Sequence, residues 1–202
     1  MNRNIIAIAL VLLIVLPAHG ALPKPRPYTG SGLLIIRMPT SPESGQPCTL
    51  VLYREPEVGR VAEPACGALP LLTQVFETPA GEFPVAVMGK KGAWLKIAYD
   101  QAGREGWLKM LRGWDYLPWE EFLPGRTARL LPGLKKGYYV LHRDFDAAAQ
   151  ELDTLTPESP VRIDRIEGDW VHVTVAPQTA GWLRWRDEGG RFLITVRSGR
   201  AP

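Results

Sequence analysis

The residues of this chain with chemistry to offer are tryptophans, cations and a few lone thiols and imidazoles. Seven tryptophans stand in 202 residues. Their spacing is the unusual feature. In Trp170-Val171-His172-Val173-Thr174-Val175 the valines alternate with polar residues. An extended strand sends alternate side chains to opposite faces, so Val171, Val173 and Val175 claim the core. Trp170 is left on the outer face with His172 and Thr174. Upstream, Leu95, Ile97 and Tyr99 share one face of a strand, and Trp94, Lys96 and Ala98 share the other. On the strands that follow, Trp107 lies with Lys109, and Trp182 with Arg184 and Arg186. Paired as antiparallel hairpins, these strands bring two indoles and two or more cations to one surface, within reach of aromatic and cation–π contact. Indole faces stack on sugar rings and peptide side chains, and Lys and Arg pair carboxylates. The candidate ligand-binding residues are Trp94, Lys96, Trp107 and Lys109 in one region and Trp170, His172, Trp182 and Arg184 in the other. A plainer alternative stands beside this one: the indoles lie flat on the sheet, shielded by loops, because small β domains have thin cores.

Catalytic constellations are not evident. A nucleophilic thiol needs an imidazole partner, and beyond the first 20 residues only His142 and His172 are available, both far from Cys48 and Cys66 in the sequence. A structural zinc site needs about four ligands, and no such cluster occurs. Glu120 and Glu121 are neighbours in a short helical pattern, where consecutive side chains diverge by about 100°. The sequence therefore points to a non-enzymatic chain without metal or cofactor. Two cysteines in an exported protein read as a disulfide, Cys48–Cys66, closing a loop of about 18 residues.

The chain starts with Arg3 and an apolar run from Ile5 to Leu16, followed by Pro17-Ala18-His19-Gly20. This is the pattern of a signal peptide over 1–20, and the run is short of the ~20 residues that span a bilayer. It predicts a periplasmic or secreted product with no stable membrane insertion after processing. The net charge of +3 and the lack of a Lys/Arg run give no case for nucleic acid. Frequent Gly and Pro, 20 and 19, favour short strands and turns over long helices.

The elements that must position the tryptophans occur twice. "VAVMGKKGAWLKIAYDQAGREGWLK" from Val85 aligns with "VRIDRIEGDWVHVTVAPQTAGWLRW" from Val161. Gly92 falls on Gly168 and Trp94 on Trp170. After a one-residue deletion, Gly106-Trp107-Leu108 falls on Gly181-Trp182-Leu183. "LYRE" at Leu52 answers "LHRD" at Leu141. Two copies of one β unit follow, spanning 33–125 and 126–202, with a Pro-rich tether at 21–32. The first copy carries an insertion around Cys66. The second has "DFDAAAQEL" there, where Asp146 is placed to cap a short helical turn. "LPWEEFLPG" between the copies reads as one helical turn, with Trp119 and Phe122 plugging a barrel end or the seam between units.

The order strand, G-x-W-hydrophobic-x-hydrophobic, polar turn, G-W-hydrophobic resembles the bacterial SH3 domain, most closely in "GKKGAWLKIAYDQAGREGWLK". The resemblance implies an all-β fold of two small SH3-like barrels in tandem, acting as exported binding or targeting modules on cell-wall enzymes. The chain lacks an acidic Tyr-rich motif at "LYREPEVGR" and a Pro after Gly-Trp-Leu, which argues against PxxP recognition. Peptidoglycan offers sugars and carboxylates outside the inner membrane, so the expected partner is cell-wall glycan or peptide. Another envelope protein, held by a periplasmic scaffold, is the alternative.

Overall fold

A computed structural model describes residues 26–37, 48–175 and 179–200. The leader at 1–20 and the first part of the tether, 21–25, lie outside the described residues. Fourteen strands form two antiparallel seven-stranded sheets. In the first, β1 (Gly32–Arg37), β2 (Leu52–Glu55), β3 (Val58–Ala62), β4 (Glu82–Lys91), β5 (Trp94–Ala98), β6 (Glu105–Lys109) and β7 (Asp115–Pro118) stand in the order β3-β2-β6-β5-β4-β1-β7. In the second, β8 (Arg126–Leu130), β9 (Val140–His142), β10 (Glu151–Thr154), β11 (Val161–Glu167), β12 (Trp170–Val175), β13 (Thr179–Arg184) and β14 (Ile194–Arg200) repeat that order strand for strand. One four-residue helix, α1 (Trp119–Phe122), joins the two sheets. No helix among the described residues is long and apolar enough to cross a membrane.

The all-β character and the internal repeat are as the sequence implies, but the SH3-like barrels are not. Each sheet is open. No ladder joins β3 to β7 or β10 to β14 among the described residues. The resemblance to the bacterial SH3 domain is therefore overturned, and with it the expected barrel closure. The physical reason lies in what the motif encodes. Its glycines and tryptophans specify a three-strand meander, β4-β5-β6 or β11-β12-β13, and a meander is compatible with an open sheet as well as a closed one.

Glycine explains the meander locally. Lys91 pairs with Trp94 and Glu167 with Trp170, leaving two-residue hairpin loops at Gly92-Ala93 and Gly168-Asp169. Both glycines have φ of +57°, the left-handed conformation required at the first position of a type II′ turn. Gly106 and Gly181 serve a different purpose. A Cβ on Gly181 would stand 2.7 Å from the His142 carbonyl oxygen, and one on Gly106 3.0 Å from the Leu52 Cβ. The missing side chains let β9 and β2 close onto the strand before each tryptophan.

Two cores result. Leu34, Ile36, Leu52, Val85, Val87, Leu95, Ile97 and Leu108 fill the first sheet's inner face, together with Cys66 and Trp114. The second core is larger because it includes residues of the first copy. Leu33 and Ala86 face it from the back of β1 and β4, and Leu72, Val75 and Phe76 reach it from the insertion. The run Leu33-Leu34-Ile35-Ile36 is apolar on both faces because β1 is covered on both faces. At the centre lies Trp119, 1% exposed. Its ring stacks on Phe76 at 5.8 Å and meets Phe192 edge-on at 5.3 Å and Trp185 at 5.8 Å. Its indole N–H donates to the Thr29 carbonyl at 2.9 Å. Trp119 and Phe122 thus fill the seam.

Backbone bonds reinforce the seam. Val196 donates to the Val75 carbonyl at 2.8 Å, and Phe76 bridges Val196 in parallel, so the insertion covers the outer edge of β14. Phe192 donates to Pro27 and Thr29 to Gly190. The Pro-rich segment therefore has specific partners from Arg26 onward, including an ion pair of Arg26 with Asp187 at 2.6 Å. The Cys48–Cys66 disulfide is present, with the Cys66 side chain buried. Asp146 caps a turn rather than a helix: its carboxylate accepts from the Ala148 N–H at 2.9 Å.

The disulfide anchors the insertion that crosses the seam. Replacing both cysteines by alanine removes a closure worth about 3 kcal/mol in the chain-entropy model and should lower the melting temperature in thermal denaturation followed by circular dichroism. An unchanged melting temperature would show the insertion held by packing alone. Trp119→Ala should cost ~3–5 kcal/mol, and calorimetry should resolve the single transition into two as the sheets uncouple.

Candidate functional site

The outer faces carry the predicted residues, and register brings them together in the same way twice. In the first sheet Trp94 lies opposite Lys109 and Lys96 opposite Trp107, and Tyr53 follows Trp107 on β2. In the second, Trp170 lies opposite Arg184 and His172 opposite Trp182, and His142 follows Trp182 on β9. Tyr53 meets Trp94 edge-on at 5.5 Å, and His142 meets Trp170 edge-on at 5.4 Å. Tyr53 and His142 are the second residues of "LYRE" and "LHRD".

The indoles are outward but covered. Trp107, Trp170 and Trp182 are 6%, 7% and 6% exposed, while Trp94 is half-buried. Cations form the covers. Lys91 lies 4.9 Å above Trp107, Arg165 5.0 Å above Trp182 and Arg184 4.8 Å above Trp170. Phe145 and His172 complete the surround of Trp182, at 5.2 and 5.3 Å. Three of the four indoles are thus packed under long side chains, as the plainer reading has it, and the side chains over Trp107, Trp182 and Trp170 are cations.

Alternation alone could not reveal the covering residues. Counting by twos from Val161 and Ile163 puts residue 165 inside, and from Val85 and Val87 it puts residue 89 inside. A β-bulge in each copy, between Ile163 and Arg165 and between Val87 and Gly89, reverses the phase. Arg165 then faces His172 and Lys91 faces Trp94 on the outer side.

The polar members have partners. Lys96 pairs with Glu105 at 2.6 Å. His172 Nδ1 lies 3.2 Å from Asp164, which also accepts from the Thr174 hydroxyl at 2.8 Å. Lys109 is exposed opposite Trp94. Arg184 pairs with Glu188 at 2.9 Å, and the other Glu188 oxygen accepts from the Tyr138 hydroxyl at 2.6 Å. Trp170, Arg184, Tyr138, His142 and Glu188 line one cleft of about 470 Å³, with Lys135 and Glu151 also on its wall. Glu188 and Tyr138 were beyond sequence reasoning because the turn that carries Glu188 and the segment that carries Tyr138 meet only in space.

The hydrogen bond to Glu188, followed by burial and the carboxylate's charge, pushes the Tyr138 hydroxyl up to about 12. The same hydrogen bond, with a backbone hydrogen bond and the Arg184 charge, holds Glu188 below its usual range. The network is therefore complete at neutral pH. It weakens as pH falls through the depressed Glu188 value and as pH rises through that of Tyr138. Among the described residues no group of three or more His, Cys, Asp or Glu is placed to hold a metal ion. No family model matches this chain, and no curated protein matches it at a significant level.

If Glu188 sets the Tyr138 shift, Glu188→Ala, which removes both the acceptor and the charge, should bring one tyrosine's ionisation midpoint down from about 12 toward the ordinary value. Ultraviolet difference titration of the two proteins measures this. Superimposable titration curves would assign the shift to burial.

Proposed function

We propose that this chain is a non-catalytic, exported binding module, built of repeat units 33–125 and 126–202, whose outer faces engage cell-wall glycan or peptide. The observation that carries the reading is the duplicated face. Two copies that have diverged elsewhere both keep indoles at equivalent strand positions, an aromatic or imidazole edge against one of them, and cations over or opposite them. Packing alone is served by any apolar group; a cation over an indole adds a surface that pairs ring faces with carboxylates. Peptidoglycan presents both groups. The leader pattern of residues 1–20 supports export to the compartment where it lies.

Trp94 is the most accessible of the four indoles and the best test of the first copy. On purified sacculi the mature protein should sediment with the wall material. Trp94→Ala should weaken that binding roughly tenfold, the order of an aromatic contact worth 1–1.5 kcal/mol, with an unchanged circular dichroism spectrum. Failure of the wild-type protein to sediment would remove the wall reading.

A second reading has its own observation. Val58 and Val61 on β3 and Leu152 on β10 are exposed apolar side chains on the outermost strands of the two sheets, and Phe145, in the connection before β10, is exposed too. A rigid two-sheet body with such margins suits a scaffold for another envelope protein. Capture of one defined partner from periplasmic extract, sensitive to Val58→Lys, together with no sacculus binding, would favour it.

A further inference from the structure

The cleft over Trp170 already contains a carboxylate, and it is the protein's own. Glu188 places one oxygen 2.9 Å from the Arg184 guanidinium and the other 2.6 Å from the Tyr138 hydroxyl. Both oxygens are engaged by donors that belong to the cleft wall. Arg184 is well held. Its guanidinium lies over the Trp170 ring at 4.8 Å, with a side chain 20% exposed, and Trp170 is met by the His142 edge. Glu188 is not held in that way. Its side chain is 68% exposed, on a surface turn followed by Gly189-Gly190. An ion pair so open to water contributes little to stability. The turn itself does not need it. Asp187 next door pairs with Arg26 and accepts the N–H groups of Gly189 and Arg191.

The geometry points to Glu188 as an internal stand-in for a ligand carboxylate: the cleft binds a small carboxylate-bearing group by exchange, Glu188 swinging out while the Arg184 guanidinium and the Tyr138 hydroxyl transfer to the incoming oxygens. This assignment rests on the binding-module reading and names the chemistry that the second copy selects. About 470 Å³ of space accommodates the atoms attached to that carboxylate, beside the Arg184–Trp170 stack. Lys135 on the wall favours a negative ligand, and Glu151, also on the wall, disfavours a second negative charge. A singly charged carboxylate is therefore preferred over a phosphate or a dicarboxylate. The plug belongs to the second copy alone. After Arg184 the chain continues Trp185-Arg186-Asp187-Glu188, whereas after the equivalent Lys109 it continues Met110-Leu111-Arg112-Gly113, with no acid.

Two sources supply such a group in wall material, a peptide C-terminus and a sugar acid. N-acetyl-D-alanyl-D-alanine and N-acetylmuramic acid are the probes for them, each compared with its carboxamide by titration of the Trp fluorescence or by NMR. Glu188→Gln, which keeps the turn and the Tyr138 acceptor but removes the competing charge, should bind at least one of the two acids about fivefold more tightly than the wild-type protein, on the scale of an exposed ion pair. The carboxamides should not bind. Adding Arg184→Gln to Glu188→Gln should abolish the gain, with circular dichroism reporting the fold. Whichever acid responds identifies the source. Equal binding of acid and amide, no gain in Glu188→Gln, or no binding of either acid to Glu188→Gln overturns the stand-in role. These outcomes are read on the small probes, so they are separate from sacculus sedimentation: a wild-type protein that sediments while Glu188→Gln gains nothing sinks this inference and leaves the wider reading standing.

Discussion

Burial of the Trp119 indole is the constraint on which the rest of the structure depends. One ring contacts the insertion through Phe76, the helix through Phe122, and the second sheet through Trp185 and Phe192. Its N–H, which burial would leave unsatisfied at a cost of about 1–3 kcal/mol, finds the Thr29 carbonyl. That bond draws the Pro-rich segment over the seam. Either sheet alone would be a thin layer with one large apolar face, and a small domain buries too little surface to be robust. Sharing a core makes one body of two marginal ones, and the repeat becomes stable through its least repetitive parts.

Those parts account for the asymmetry of the copies. β1 is apolar on both faces because one face serves its own sheet and the other the seam. Its counterpart β8, Arg126-Thr127-Ala128-Arg129-Leu130, alternates. The insertion with Cys66 exists only in the first copy because only that copy must reach across to β14. A disulfide at its base holds its anchor point, and Val75 and Phe76 pair with the strand edge. Among the described residues, no further strand pairs with the outer margins β3 and β10. They are short and irregular in register, and they carry Arg60, Glu151 and Asp153, features that discourage pairing with another sheet.

Much of this was legible in the sequence, and the limits have definite causes. Period-two alternation placed Leu95, Ile97, Val171 and Val173 inside and the tryptophans outside. Gly-x-Trp and Gly-Trp marked the repeat, while the close strand approach at Gly106 and Gly181 emerged only in the structure. The pairing of Cys48 with Cys66 followed from composition and spacing, and Trp119 was placed at either a barrel end or the seam, of which the structure shows the seam. Barrel closure did not, because closure depends on what the first and last strands of a unit meet, and here those edges stop without meeting. A resemblance carried by the central meander has no information about its margins. The covers over the indoles were hidden by the two bulges, since one extra residue reverses which side chains face out. Glu188 and Tyr138 were hidden by distance along the chain.

The bulges also bear on how a charged outer face arises from a packing solution. Without them, residues 89 and 165 would point into the cores, and an arginine at 165 would be an unpaired buried charge, which proteins avoid. With them, Arg165 and Lys91 turn outward and lie over Trp182 and Trp107. A long cationic side chain covers apolar surface with its stem and keeps its head in water, so the indoles are dry while the face is charged. Shielding large rings on a thin sheet and keeping positive charge at the surface are thus done by the same side chains. In the second copy the face gains a further layer, because Glu188 neutralises the head of Arg184. A cation paired with a surface carboxylate that is 68% exposed is held at low cost. A buried acid in the same place would lock it.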